Sequence, residues 1–144
     1  MVPTLYGRIQ TRVVLLAVIG GIWTAVIASF LPGDAAPLES FGTAFVVLLA
    51  VLGLGVCWEF LYHLLQQFRW EKDWPTFFGL ITGIPEAALL WFLIGVPALP
   101  GVAAIPLHAF LIQFVTTWLV VWLFANGPIQ IFFIRWRFRG GRFW

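Results

Sequence analysis

Four long apolar runs, separated by short polar segments, set the pattern of the chain. Each run is long enough for a transmembrane helix, which needs about 20 residues to cross a hydrocarbon core about 30 Å thick. The predicted helices extend over approximately residues 13–31, 41–68, 75–96 and 105–125. Asn126, Gly127 and Pro128 interrupt a pattern that otherwise stays apolar to Ile134, so a break is expected there. The predicted fold class is an all-α membrane protein with a single four-helix transmembrane domain over residues 1–144.

Composition supports the membrane class and argues against catalysis. Of 144 residues, 62% are hydrophobic and only 10% are charged, which leaves too little polar surface to cover a soluble domain. A lone cysteine, Cys57, excludes an internal disulfide and a cysteine-based metal site. No phosphate-binding glycine loop, nucleophile elbow, zinc spacing or dinucleotide fingerprint occurs. We therefore expect no cofactor, no metal and no enzymatic activity.

The distribution of basic residues predicts the orientation of the helices. All eight lie near the N-terminus, in the turn between helices two and three, or in the C-terminal segment, and Arg8 and Arg12 are expected to flank helix one. Basic residues are enriched in the cytoplasmic segments of membrane proteins. Both termini are thus predicted to be cytoplasmic, in a multi-pass protein of the plasma or inner membrane.

The C-terminal segment, residues 129–144, alternates aromatic residues with arginines and is predicted to form a short basic amphipathic tail. Such a tail suits the anionic inner surface of a membrane, or a cytoplasmic partner. The same composition can stack on single-stranded nucleic acid, but its position directly after a membrane helix favours lipid, and no nucleic-acid partner is expected. The predicted anchor residues are Arg135, Arg137, Arg139 and Arg142.

Glu59 and Glu86 are the strongest functional signal, because a carboxylate inside a bilayer is costly unless it is paired, protonated or in contact with water. Helices two and three form a predicted hairpin centred between Lys72 and Asp73, and the two acids are equally far from that centre. At a rise of about 1.5 Å per residue, each lies roughly 15 Å from the turn, near the middle of the bilayer. They are expected to face the same layer.

Small and polar residues accompany both acids and predict a polar pocket. His63 follows Glu59 by one helical turn, and Thr82 precedes Glu86 by one turn, so the candidate intramembrane polar site is Glu59, His63, Thr82 and Glu86. His63 has the chemistry to ligate metal or haem, but its position near the membrane surface favours hydrogen bonding to Glu59 or to headgroups. His108 lies near the opposite face, which disfavours a bis-histidine haem. Close helix packing is predicted at Gly20, Gly21, Gly55, Gly79 and Gly83.

These features leave two hypotheses for function. In the first, which we favour, the chain is a small accessory subunit that packs against larger subunits of a transport, secretion or respiratory complex. Glu59 and Glu86 are then structural: protonated and hydrogen-bonded to a neighbouring helix, or in contact with an arginine of a partner subunit. In the second, they exchange protons or cations in a transporter or channel subunit, and homo-oligomerisation supplies the missing walls.

Overall fold

The computed structural model describes residues 3–31, 37–70, 75–96, 99, 102 and 105–144, and of residues 37–40 only the backbone. Three expectations lie partly or wholly outside these residues. They are the segment between helices one and two at 32–36, the charged turn around 71–74, and the connection between helices three and four at 97–104. Helix one ends within the described residues, at Ala28, and helix two begins at Pro37, before the predicted start at residue 41.

The described residues form helices and no strands. The first predicted crossing contains two α-helices joined by a π-helical turn, Leu16–Gly20, and the fourth continues into two short helices after its break. In chain order the helices are α1 (Leu5–Leu15), α2 (Gly21–Ala28), α3 (Pro37–Gln67), α4 (Thr76–Ile81), α5 (Gly83–Gly95), α6 (Leu107–Asn126), α7 (Pro128–Phe132) and α8 (Ile134–Phe138).

Four helical segments among the described residues are long and apolar enough to cross a membrane. This finding agrees with the predicted all-α, multi-pass class. The segments are Leu5–Ala28, Phe41–Gln67, Thr76–Gly95 and Leu107–Phe132.

Helix one begins at Leu5, eight residues before the predicted start at residue 13. Thr4 caps it, because its side-chain oxygen accepts a hydrogen bond of 3.1 Å from the Gly7 backbone N–H. Arg8 and Arg12 therefore lie inside the helix, where only 8% and 9% of their side-chain surface is exposed. The arginines were expected to flank the helix because charge normally marks the edge of a membrane span. Here buried carboxylates on other helices compensate that charge.

An apolar core joins α3, α5 and α6. Its buried members include Val47 and Leu48 from α3, Leu90 from α5 and Phe110 from α6. Aromatic rings continue the contact between α5 and α6, with a centroid distance of 5.3 Å from Trp91 to Phe110, and within α6 the Phe110 ring lies 5.7 Å from the Phe114 ring. This core fixes the positions of the helices that carry the polar residues.

The expected break after helix four is present, and the chain beyond it folds back onto α1. Gly127 departs from helical geometry with φ −121° and ψ −95°. Gly140 and Gly141 then take positive φ values of 61° and 87°, a conformation that glycine adopts at little cost. The Gly140 carbonyl accepts a 3.0 Å hydrogen bond from the Thr4 backbone N–H. Both ends of the chain therefore meet at one end of the helical bundle.

Candidate functional site: a buried charged cluster beside a cavity

Four charged side chains from three helices meet inside the bundle, and we call them the charged cluster: Arg8 and Arg12 of α1, Glu59 of α3 and Glu86 of α5. The two arginines are four residues apart and so share one face of α1. The two carboxyl side chains are 8% and 4% exposed. Because the arginines are almost as deeply buried, the cluster is largely removed from solvent.

Arg12 bridges the two acids. Its Nε donates to Glu59 Oε1 at 2.8 Å, while Nη1 and Nη2 donate to Glu86 Oε2 and Oε1 at 2.6 and 2.8 Å. Arg8 Nε completes the set by donating to Glu59 Oε2 at 2.7 Å. All four carboxylate oxygens thus accept a bond from a guanidinium group, and two positive charges balance two negative ones. Paired, hydrogen-bonded charge is the form in which buried ions are tolerated.

Neighbouring residues support this arrangement. The Tyr62 hydroxyl lies 3.1 Å from Glu86 Oε1 and 3.2 Å from the Thr82 carbonyl oxygen, so its proton is placed between two acceptors. The Arg12 guanidinium also stands 5.5 Å from the centroid of the Trp118 ring, within the range of a cation–π contact. A Cβ atom at Gly55 would collide with the Arg12 side chain. Glycine at position 55 therefore gives Arg12 room to cross from α1 to α5.

The structure brings Glu59 and Glu86 together through Arg12, in one layer of the bundle, but it gives His63 and Thr82 other contacts. The Thr82 hydroxyl donates to the Gly79 carbonyl at 3.2 Å, and only the Thr82 backbone carbonyl faces Tyr62. Nε2 of the His63 ring lies 3.3 Å from the side-chain amide nitrogen of Gln67. Among the described residues, no group of three or more His, Cys, Asp or Glu could hold a metal ion.

The sequence interpretation missed the residues that complete the cluster. The structural alternatives for the acids were a hydrogen bond from the protonated form to a neighbouring helix, or an arginine of a partner subunit, whereas Arg8 and Arg12 of the same chain contact them. Two signals pointed to these arginines: their spacing of four residues, and the match between two arginines at the start of helix one and two acids within apolar helices. Tyr62 and Gln66 were also missed; Arg8 Nη1 donates to the side-chain oxygen Oε1 of Gln66 at 3.5 Å.

A cavity of about 440 Å³ adjoins the charged cluster. It lies between α1, α3, α4, α6 and the C-terminal tail, at the end of the bundle where both termini meet. Arg8, Arg12, Glu59 and Arg137 form the charged part of its wall, and three tryptophans form a large apolar part. These tryptophans are Trp118, Trp122 and Trp136.

Four of the five glycines expected to pack face a neighbouring side chain. Gly20 lies against Leu48, Gly79 against Trp122, Gly83 against Trp118, and Gly55 against Arg12. Gly21 differs, since a Cβ atom there would meet nothing within 4 Å. The pair Gly79 and Gly83 thus accommodates two indole rings of α6.

The C-terminal tail is packed against α1. Ile129 and Trp136 are buried with Leu15 in a second apolar cluster. Arg142 Nε donates to Thr4 Oγ1 at 3.2 Å.

The four tail arginines remain exposed, which keeps them available to lipid or to a partner, and Arg137 also lines the cavity.

No protein-family model, curated protein or solved structure gives a significant match to the chain, so its function is inferred from the charged cluster, the cavity and the outer surface.

Proposed function

We propose that the protein is a small, non-enzymatic accessory subunit of a larger complex in the plasma or inner membrane, with both termini in the cytoplasm. The charged cluster acts in this proposal as an internal fastener that holds α1 against α3 and α5. The observation that carries the proposal is the pairing of both intramembrane carboxylates with arginines of the same chain.

This pairing favours a structural role of the acids over conduction. A cation approaching Glu59 from the cavity would meet the guanidinium groups of Arg8 and Arg12 on the same wall. Protonating either acid would leave a buried arginine without its counter-charge, and breaking a buried pair costs about 3–5 kcal/mol. Repeated loading and release at these carboxylates is therefore expensive.

The outer face of α3 supports the partner part of the proposal. Gly42, Gly53 and Cys57 are exposed there, and a Cβ atom at either glycine would meet nothing within 4 Å. Leu49, between them on the same face, is 64% exposed. Small residues on an apolar helix face allow another helix to approach closely, so this face is suited to a membrane-embedded partner.

Purification of the tagged chain in mild detergent tests the partner role. We expect larger membrane subunits to co-purify with the chain, and Gly53→Leu to lose them because it adds bulk to the outer face of α3. Gly21→Leu is the matched control, since Gly21 also faces open space but lies on α2. Recovery of the wild-type chain alone, as a monomer or homo-oligomer, would overturn the accessory role.

Flux in reconstituted vesicles tests the alternative of a conducting subunit. The purified chain should carry no proton or cation flux above that of protein-free vesicles. A flux that is lost in Glu59→Gln or Glu86→Gln, in variants that still assemble, would replace the structural role with transport.

A further inference from the structure

Much of the wall of the cavity beside the charged cluster is apolar, and the indole N–H groups in it are hydrogen-bonded to the protein. The indole N–H groups of Trp118 and Trp122 donate to the backbone carbonyls of Gly79 and Thr76, at 3.1 and 3.0 Å. The Trp136 indole N–H donates to Thr11 Oγ1 at 2.7 Å. These bonds hold the rings in place, so the cavity offers flat hydrocarbon surface to a ligand as well as charge.

Arg137 gives the cavity wall an uncompensated positive charge. Arg8 and Arg12 are compensated by Glu59, which lines the cavity, and by Glu86 behind Arg12. Arg137 also lines the cavity, and its side chain forms no ion pair or hydrogen bond with the described residues. The described charged residues of the cluster and cavity wall thus sum to one positive charge.

The fold of the tail fixes Arg137 at this position. Its neighbour Trp136 is 7% exposed and is bonded to Thr11, whose hydroxyl in turn donates to the Gly141 carbonyl at 3.0 Å. The Phe143 backbone N–H donates to Gln10 Oε1 at 2.9 Å. Because these contacts hold the tail against α1 on both sides of Arg137, this residue is kept in the cavity wall.

We propose that this cavity is a binding site for an organic phosphate with a net negative charge, whose apolar part lies against the tryptophans. Arg137 would supply the charge that the ligand neutralises, because a guanidinium group binds phosphate oxygens with two parallel hydrogen bonds. The volume of about 440 Å³ falls within the usual range of small-molecule sites. Two sources share this chemistry: the headgroup of an anionic phospholipid, and a soluble phosphate ester. The site is additional to the proposed accessory role.

Native mass spectrometry of the full chain in detergent tests the proposal. The protein is titrated with phosphatidylglycerol, with zwitterionic phosphatidylcholine, and, in a separate arm, with glycerol 3-phosphate. We expect one phosphatidylglycerol to bind in preference to phosphatidylcholine, and Arg137→Gln to weaken that binding about tenfold, as loss of a charge-assisted hydrogen bond implies. Arg135→Gln is the matched control: it removes the same charge from the same helix, but residue 135 does not line the cavity.

The arms distinguish the two sources. Selective binding of phosphatidylglycerol that glycerol 3-phosphate does not displace assigns the site to a lipid headgroup. Displacement by glycerol 3-phosphate, weakened by Arg137→Gln and not by Arg135→Gln, assigns it to a soluble phosphate ester. Equal effects of the two substitutions would show general surface attraction, and this result would overturn the proposal. Absence of binding in both arms would also overturn it.

Discussion

Replacing Arg12 by Gln should be among the most damaging single changes in the protein. Arg12 makes three hydrogen bonds of 2.6 to 2.8 Å to two carboxylates. Without it, Glu59 keeps its bond from Arg8, but the described partners of Glu86 reduce to the Tyr62 hydroxyl. A buried carboxylate would then lack a counter-charge, and the expected loss of unfolding free energy is about 3–5 kcal/mol.

Unfolding by SDS titration in mixed micelles, followed by circular dichroism, measures this loss. Arg135→Gln is the control, because it removes an exposed arginine and should change the unfolding free energy by no more than about 0.5 kcal/mol. Glu86→Gln in the Arg12→Gln background should cost much less than Glu86→Gln alone, since the charge that Arg12 compensates is already gone. An Arg12→Gln variant as stable as Arg135→Gln would contradict the role of Arg12 as the counter-charge of Glu86. Strictly additive effects of Arg12→Gln and Glu86→Gln would also contradict it.

Two further results are expected. Gly55→Ala should lower the unfolding free energy by about 1–3 kcal/mol through overpacking against Arg12, whereas Gly53→Ala on the same helix should be neutral or stabilising by about 0.5–1 kcal/mol. The same SDS titration compares the two variants. Equal effects would argue against a close passage of the Arg12 side chain over α3. Reporter fusions after Gly33, after Lys72, after Gly101 and at the C-terminus should report outside, inside, outside and inside, and a C-terminal reporter on the outside would contradict the cytoplasmic termini.

The helices could be predicted from sequence because each is a continuous run of apolar residues long enough to span a membrane. The break near Gly127 could also be predicted, since Pro128 lacks a backbone N–H group and cannot donate the hydrogen bond that continues a helix. The start of helix one could not be predicted in the same way. Arg8 and Arg12 were interpreted as charges that flank the helix, because only the distant residues Glu59 and Glu86 make their burial tolerable.

The candidate site was predictable only in part for the same reason. The spacing of residues in the hairpin placed Glu59 and Glu86 in one layer, but the residue that joins them, Arg12, is 47 and 74 positions away from them in sequence. The docking of the tail depends on the turn at Gly140 and Gly141 and on its bonds to α1. Such contacts leave no periodic pattern, so the part of the cavity wall that the tail supplies could not be anticipated, although a polar pocket that includes Glu59 and Thr82 was predicted.

Infrared difference spectroscopy tests directly whether Glu59 and Glu86 are both held as ion pairs by arginines of the same chain. Spectra of the wild-type protein are compared with those of Glu59→Gln and Glu86→Gln at neutral pH, because ionised and protonated carboxyl groups absorb in separate bands. The ion-paired cluster predicts that each substitution removes carboxylate intensity and leaves the protonated-carboxyl region unchanged. Loss of a protonated-carboxyl band in either variant would contradict it.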